Sequence, residues 1–237
     1  MKIAMWSGPR NLSTAMMYAF GSRSDCAVTD EPFYAAYLAA TGLEHPMRAE
    51  ILESQPQDAA EVAARLAGPS PAGRPFWYQK HMTQHMIPGV PRDWMRRVRN
   101  VFLIRHPARV IASYGAKREN PVLDDIGFWQ QAELFAEVKA WGGNPLVIDS
   151  HDIREDPAGR LEQLCDALGL PFDPGMLSWP KGGHKDDGVW APHWYGAVWN
   201  SAGFAGAEGG LPEVPDHLQG VLQEALPFYE ELKAAKL

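Results

Sequence analysis

The sequence predicts an α/β fold: a single domain over residues 1–237, with a central, mostly parallel five-stranded sheet flanked by helices. A chain of 237 residues is long enough for one large domain with a sheet covered on both faces. The apolar content of 46% and the charged content of 22% are ordinary for a globular chain. Five short apolar runs alternate with helical patterns, which favours parallel strands because parallel neighbours need long crossover connections.

The strands are predicted from runs of β-branched, aromatic and other apolar residues that end at turn or polar residues. These runs are 3–6, 26–29, 76–80, 101–104 and 145–148. Apolar residues at helical spacing predict helices at about 12–19, 33–38, 59–66, 108–114, 126–141, 157–168 and 218–232. Residues 41–57 are expected to be irregular. The Trp- and Gly-rich segment 179–210 is expected to be a loop over the functional site, because its tryptophans favour packing over disorder.

Charge and cysteine content narrow the class of protein. The formal net charge of −7 argues against a protein that coats nucleic acid or an anionic membrane. Cys26 and Cys165 have no metal-binding spacing, so neither a disulfide framework nor a structural zinc is expected. No apolar run reaches the ~18 residues that a membrane span needs. No signal-peptide pattern precedes the first predicted strand, so a cytoplasmic location is expected.

Positive charge is concentrated in the middle of the chain. The basic residues of this region are Arg92, Arg96, Arg97, Arg99, Arg105, Arg109, Lys117 and Arg118. Either a solvated basic surface or a site for a cofactor with several negative charges would explain such a cluster.

The N-terminal stretch is predicted to bind an anion. Gly8 and Pro9 make a turn between the first strand and the first helix. Such a junction directs backbone N–H groups and the positive end of a helix dipole at one point, where phosphate binds. Arg10 adds a permanent positive charge, and Ser13 and Thr14 add hydroxyl donors. The Gly-Lys pair of the ATP-binding loop is missing.

A second phosphate site is predicted after the fourth strand. Arg105 stands at the end of that strand in an Arg-His-Pro sequence, and Ser113 follows eight residues later on the next helix. Arginine offers a permanently charged, bidentate fork, and the serine hydroxyl fills a remaining position on the phosphate. The two side chains can therefore converge on one phosphate group.

These two motifs resemble those of sulfotransferases that use 3′-phosphoadenosine 5′-phosphosulfate (PAPS). The 5′-phosphate loop of that family is commonly written PRSGTT, and residues 9–14 read PRNLST, with Asn11 in place of serine and Leu12 in place of glycine. The 3′-phosphate pattern of the family, R-[DNH]-P-x-x-x-x-x-S, is intact in the second motif. The resemblance covers about residues 1–200.

The resemblance implies a P-loop NTPase-like sulfotransferase fold and a metal-independent reaction. In that reaction a sulfuryl group passes from PAPS to a hydroxyl or amine of a small-molecule acceptor. The late segment 180–190 resembles a degenerate form of the family's R-K-G-x-x-G-x-W segment, which folds over the 3′-phosphate and adenine. The cofactor-binding residues implied in this way are Gly8, Pro9, Arg10, Asn11, Leu12, Ser13, Thr14, Arg105, Ser113, Lys181 and Lys185.

Two residues at strand ends are candidates for the base that removes the acceptor's proton. Glu31, in the sequence Asp-Glu-Pro, resembles the strand-end glutamate of carbohydrate-type sulfotransferases. His81 follows Lys80 and resembles the strand-end Lys-x-His of small-molecule-type enzymes, with one residue fewer. Both stay open, and Arg10 is the candidate that stabilises charge on the leaving phosphate.

Two alternatives use the same architecture. A P-loop nucleotide-dependent kinase is disfavoured by the missing Gly-Lys pair and by the lack of a clear Walker-type aspartate at a strand end. A non-catalytic module that binds adenosine 3′,5′-bisphosphate (PAP) would need the same motifs. Aromatic and methionine side chains that predict either an acceptor cavity or ordinary core packing are Tyr34, Tyr37, Met82 and Met86.

Overall fold

The computed structural model describes residues 1–115 and 120–237, so Lys117 and Arg118 of the basic cluster lie outside the described residues. The described chain contains one five-stranded sheet in the order β2-β3-β1-β4-β5, and every neighbouring pair in it is parallel. The strands are β1 (Lys2–Ser7), β2 (Cys26–Asp30), β3 (Phe76–Met82), β4 (Arg99–Ile104) and β5 (Leu146–Asp149). The predicted parallel sheet is confirmed.

Helices connect these strands and cover the sheet. They are α1 (Ser13–Gly21), α2 (Tyr34–Thr41), α3 (Arg48–Ser54), α4 (Ala59–Ala67), α5 (Pro107–Gly115), α6 (Leu123–Ile126), α7 (Phe128–Ala140), α8 (Ser150–Glu155), α9 (Pro157–Leu168), α10 (Ala191–Trp194), α11 (Gly196–Trp199) and α12 (Gln219–Lys233). Short 3₁₀ turns lie at Pro71–Gly73, Thr83–His85, Asp93–Arg97, Pro174–Leu177 and Asp216–Leu218.

The sheet is buried on both faces, as parallel sheets are. Along β1, Ile3 and Met5 pack into one apolar cluster with α1 and α9, whereas Ala4 and Trp6 pack into another with α4, α5, α7 and α12. This alternation is the two-residue period of a strand. It explains why the strand sequences read as continuous apolar runs.

One local prediction was wrong, and one helix begins later than predicted. Residues 41–57 were expected to be irregular, but they contain α3. The helix predicted over about 126–141 is confirmed as α7, which begins after Gly127, because the φ of 72° at Gly127 lies in the left-handed region and separates α7 from α6. A Cβ at this position would also lie 2.5 Å from the Thr83 hydroxyl.

The strand order positions the site. From β1 in the middle, the chain first builds one side of the sheet with β2 and β3, then crosses to the other side with β4 and β5. Ligands of such sheets bind at the carboxyl ends of the strands, where the direction of winding changes. That point is the end of β1, where the predicted phosphate loop begins.

No helix among residues 1–115 and 120–237 combines the length and the apolar character that crossing a membrane requires. The cytoplasmic location stays a prediction.

Candidate active site

A cavity of about 360 Å³ opens at the carboxyl edge of the sheet. The loops after β1, β2, β3, β4 and β5 all contribute to its wall, as does the segment that includes α10 and α11. Predicted site residues that line it are Pro9, Arg10, Asn11, Leu12, Ser13, Thr14, Glu31, Arg105 and Ser113.

The loop after β1 has a backbone shape that usually requires glycine. Arg10 and Leu12 both lie in the left-handed region, with φ values of 60° and 65°, a conformation that costs an ordinary residue roughly 1–2 kcal/mol. Leu12 therefore adopts the conformation that the family's glycine would adopt freely. At Gly8 a Cβ would lie 2.4 Å from the Ile126 carbonyl oxygen, so glycine is required there.

This loop leads directly into α1. Asn11 anchors it by donating a hydrogen bond from Nδ2 to the Leu103 carbonyl oxygen on β4 at 2.5 Å. Leu12 is the N-cap of α1 and makes no side-chain capping bond. The first N–H groups of a helix lack intrahelical partners, so an uncapped N-terminus facing a cavity offers them to an anion.

The two predicted phosphate motifs meet in space. Arg10 Nε donates a hydrogen bond to Ser113 Oγ at 2.9 Å, and Arg105 donates from Nη1 to the Arg10 carbonyl oxygen at 2.5 Å. Burial, with the nearby charge of Arg105, lowers the pKa of Arg10. Two guanidinium groups held this close create a positive potential that favours an anion.

Three arginines among the described residues converge on Glu208, which lies in the segment between α11 and α12. Arg105 pairs with Glu208 Oε1, Arg154 Nη1 lies 2.7 Å from the same oxygen, and Arg109 Nε lies 3.2 Å from Oε2. Burial tends to raise the pKa of Glu208, but hydrogen bonding and charge from Arg105, then the charges of Arg154 and Arg109, leave it lowered. Glu208 is therefore ionised at neutral pH.

Glu31 belongs to a buried cluster of ionisable groups at the ends of β2 and β3. Lys80 Nζ lies 2.8 Å from Asp30 Oδ1 and 2.7 Å from Glu31 Oε1. Tyr195 Oη lies 2.7 Å from Asp30 Oδ2 and 3.2 Å from Glu31 Oε1. The cluster holds two carboxyl groups for one ammonium group, so it has a high affinity for a proton.

The pKa shifts in this cluster follow from its geometry. Burial raises the pKa of Glu31, the charge of Lys80 lowers it, and the charge of Asp30 raises it again, with a net upward shift. Burial tends to lower the pKa of Lys80, but its two carboxylate partners leave it raised. Lys80 thus stays charged, and Glu31 is a carboxylate with increased basicity at the edge of the cavity.

His81 lies on the opposite face of β3 from Lys80. Its ring stacks on Trp6 with centroids 4.4 Å apart, and it also contacts Phe33 and Trp94. Burial lowers its pKa to about 3. His81 is not among the residues that line the cavity, which differs from its expected place beside the acceptor. The physical reason is the two-residue period of the strand, which points Lys80 and Met82 one way and His81 the other.

Lys181 and Lys185 also lie away from the cavity wall. Lys181 is exposed, and Lys185 is exposed and pairs with Asp186 at 2.5 Å. Their segment is held by Asp187, whose Oδ2 accepts hydrogen bonds from Tyr18 Oη at 2.6 Å and Trp199 Nε1 at 3.0 Å. From segment 179–210, the residues that do line the cavity are Trp194, Tyr195, Ala197, Val198, Ser201, Gly203 and Ala205.

The sequence and the fold have known counterparts. The model of the family described as "Sulfotransferase domain" matches residues 1–236 of this chain. The chain belongs to the sulfotransferase domain family. The predicted family is thereby confirmed.

Solved structures share the fold of this sulfotransferase domain. The sulfotransferase domain of the Synechococcus PCC 7002 olefin synthase superposes with a TM-score of 0.61 at 19% identity, over 100% of this chain and 96% of that one. A sulfotransferase from Alicyclobacillus acidocaldarius superposes with a TM-score of 0.57 at 12% identity, over 98% of this chain and 94% of that one. At these identities the likeness concerns the fold, and it confirms the predicted sulfotransferase architecture.

Two curated plant proteins resemble the chain in sequence. "Branched-chain-amino-acid aminotransferase-like protein 1" from Arabidopsis thaliana is 34% identical over 232 residues, and protein 2 of the same name is 32% identical over 231 residues. Each match covers 98% of this chain but 41% of the relative. The sulfotransferase domain thus spans about two fifths of the length of these relatives.

The site of this sulfotransferase domain also contains residues that the sequence motifs missed. Arg154 follows β5 and lines the cavity, so its place near a strand end is a signal that could have found it. Glu208 and Tyr195 come from a segment without regular periodicity, and no local pattern marks them. Within the basic cluster, Arg105 lines the cavity and Arg109 pairs with Glu208 beside it, whereas Arg92 pairs with Glu133 and Glu137 of α7.

Proposed function

We propose that this sulfotransferase domain uses PAPS and transfers its sulfuryl group to a hydroxyl or amine of a small-molecule acceptor. The observation that carries the proposal is the meeting of Arg10, Arg105 and Ser113 at one cavity. Residues from two motifs separated by about ninety positions converge where a nucleotide with two separate phosphate groups would need them.

Other features of the site fit this cofactor. Leu12, which stands where the family's loop has glycine, lies in the left-handed conformation that glycine adopts freely. Asn11 Oδ1 is buried without a hydrogen-bond partner among the described residues, so it can accept a bond from a ligand. The uncapped N-terminus of α1 and the guanidinium groups complete a strongly anion-binding wall.

PAPS supplies a sulfuryl group that is already activated by its anhydride bond to a phosphate. Ser13, Thr14 and the N-terminus of α1 would hold its 5′-phosphosulfate, and Arg10 would stabilise the negative charge that develops there. Arg105 and Ser113 would hold its 3′-phosphate. Arginine has a pKa too high for proton donation, so Arg10 contributes charge rather than a proton.

We assign the base to Glu31. Its carboxylate reaches the cavity, and its raised pKa makes it a stronger proton acceptor than an ordinary glutamate. Lys80 stays in place as a fixed counter-charge that donates to Glu31 Oε1. The Tyr195 hydroxyl donates to Asp30 Oδ2 at 2.7 Å and lies 3.2 Å from Glu31 Oε1. His81, the other candidate, lies in the aromatic core and stays neutral down to about pH 3.

The acceptor side of the cavity is aromatic. Of the predicted acceptor-lining residues, Tyr34 and Met82 line the cavity, and Tyr37 stacks behind on His85. The His85 ring lies between Tyr34 and Tyr37, with centroids 4.7 and 4.8 Å away. His85 Nδ1 is buried and unpartnered within the described part of the chain. These features suit a small acceptor with an apolar body and one polar group.

Calorimetric titration with PAP, with ADP and with Mg-ATP tests the proposal. We expect binding of PAP that needs its 3′-phosphate and no metal, and loss of this binding in the Arg105→Ala variant. Arg97→Ala removes the same charge at an exposed position and should bind like the wild type. Preference for Mg-ATP would favour a kinase, and PAP binding without PAPS turnover over a broad acceptor panel would favour a non-catalytic module.

A further inference from the structure

Glu208 occupies an unusual position for an acidic residue. Its side chain is only 5% exposed although it belongs to an irregular segment, and it contacts Arg105, Arg109 and Arg154. Two of the same arginines also bind the neighbouring backbone. The Gly206 carbonyl oxygen accepts a hydrogen bond from Arg154 Nε at 2.9 Å, and the Gly209 carbonyl oxygen accepts one from Arg109 Nη2. The arginines thus hold residues 206–209 beside Arg105 and Arg154, which line the cavity.

The charges of this cluster do not balance. Three guanidinium groups carry three positive charges, and the Glu208 carboxylate supplies one negative charge. A phosphate monoester supplies nearly two negative charges and three acceptor oxygens, which match arginine forks better than one carboxylate does. The cluster is therefore built for a more highly charged anion than the one it holds.

The identity of Arg105 connects this cluster to the cofactor. Arg105 is the arginine of the predicted 3′-phosphate motif, and its Nη2 is engaged by Glu208. Arg105 and Arg154 both line the cavity, as do Gly203 and Ala205 of the same segment. A ligand that used the whole guanidinium fork of Arg105 would have to displace Glu208.

The segment around Glu208 has room to move away. A Cβ built on Gly206, Gly209 or Gly210 would meet no heavy atom within 4 Å, so these positions are loosely packed. Glycines also give the backbone a wide choice of conformations. The contacts that hold the segment in place are thus chiefly those to the arginines.

We propose that Glu208 occupies the subsite of the 3′-phosphate, and that Arg105, Arg109 and Arg154 exchange its carboxylate for this phosphate when the cofactor binds. This inference rests on the proposed use of PAPS. It adds Arg109 and Arg154 to the cofactor-binding residues. It also gives the segment that contains Glu208 an inhibitory role, because the segment competes with the cofactor until the phosphate displaces it.

The test compares PAP with AMP, which lacks the 3′-phosphate, by calorimetric titration of Glu208→Gln and wild type. Glutamine keeps the size of the side chain but removes its charge. We expect PAP to bind about tenfold more tightly to Glu208→Gln, with AMP binding unchanged. Glu213→Gln makes the same charge change at an exposed position nearby and should leave both affinities at wild-type values.

Arg154→Ala provides a second measurement that does not depend on the folding of the Glu208 variant. Because Arg154→Ala removes one of the arginines that would bind the 3′-phosphate, it should weaken PAP binding at least tenfold and leave AMP binding unchanged. Thermal unfolding of each variant checks that it is folded.

The outcomes separate the two proposals. If wild type binds PAP but Glu208→Gln binds PAP equally or less tightly, Glu208 serves as a clamp of the segment and the inference is overturned. Weakening of PAP and AMP to the same extent in Arg154→Ala would overturn it too. If neither wild type nor any variant binds PAP, the proposed function itself fails, and the exchange fails with it.

Discussion

Replacing His81 by phenylalanine should make the protein more resistant to acid. The imidazole lies in an aromatic cluster with Trp6, Phe33 and Trp94, where a phenyl ring of similar shape can pack. Its polar contact is weak, since Nε2 lies 3.4 Å from Gln79 Oε1. The substitution therefore removes a titrating group at little cost in packing.

The magnitude follows from the pKa of His81. Burial lowers it to about 3, whereas a histidine in the unfolded chain has a pKa of ~6.5. Because the pKa of His81 is lower in the folded chain than in the unfolded chain, acid favours the unfolded chain. The contribution of His81 to the free energy of unfolding is therefore fully present above pH ~6.5 and is lost as the pH falls below this value. Between pH 7.5 and pH 5.5 the wild type should lose about 1.3 kcal/mol of unfolding free energy through this residue.

Urea unfolding at the two pH values, followed by tryptophan fluorescence, measures this loss. His85 is also buried, and burial lowers its pKa, so it adds the same acid dependence to both proteins and cancels from the comparison. The midpoint of His81→Phe should fall by roughly 0.5 M urea less than that of wild type. His217→Phe, at an exposed position, is the matched control.

Equal pH slopes for His81→Phe and wild type would refute the reasoning, because they would mean that the imidazole is not kept neutral by burial. The same variant also tests the choice of base. If the His81→Phe protein is folded and binds PAP but has no turnover, His81 rather than Glu31 would be the base.

Three further predictions concern the site. Glu31→Gln should lower kcat by roughly 10²–10⁴-fold and leave the affinity for PAP unchanged. In the wild type, kcat should begin to fall on acidification at a pH above the usual pKa of glutamate. Unchanged turnover of Glu31→Gln in a steady-state assay would exclude Glu31 as the base. Lys80→Met should lower the free energy of unfolding by about 3–5 kcal/mol in urea unfolding, because it leaves Asp30 and Glu31 buried without a counter-charge. A decrease of less than about 1 kcal/mol would show that the two carboxyl groups become protonated instead. The free energy of unfolding of Leu12→Gly should exceed that of Leu12→Ala by about 1 kcal/mol, since only glycine adopts the left-handed conformation freely. The opposite order of the two variants in thermal unfolding would mean that the loop changes shape.

The sequence was sufficient to predict the strands and to mark the two candidate phosphate motifs that meet at the cavity, because both depend on local patterns. A buried parallel strand is a continuous apolar run, and a phosphate loop is a short strand–turn–helix junction. The position of His81 away from the cavity follows from a local pattern too. Lys80 and His81 are neighbours on one strand, so at most one of them could face the cavity.

The rest of the site depends on contacts between distant parts of the chain. Glu208 meets Arg105 across 103 positions, and Tyr195 meets Asp30 across 165. Both come from segments without helical or strand periodicity, whose path is set by packing against the finished sheet. No local signal in the sequence specifies which carboxylate or hydroxyl such a segment will deliver.

The hydrogen bonds of Tyr195 have a consequence for any attempt to change acceptor preference. Tyr195 lies in the wall of the cavity, yet its hydroxyl also touches Asp30 and Glu31. A substitution that enlarges this wall will therefore alter the basicity of Glu31 together with the space for the acceptor. In a directed-evolution experiment, selectivity and turnover would then change together at Tyr195.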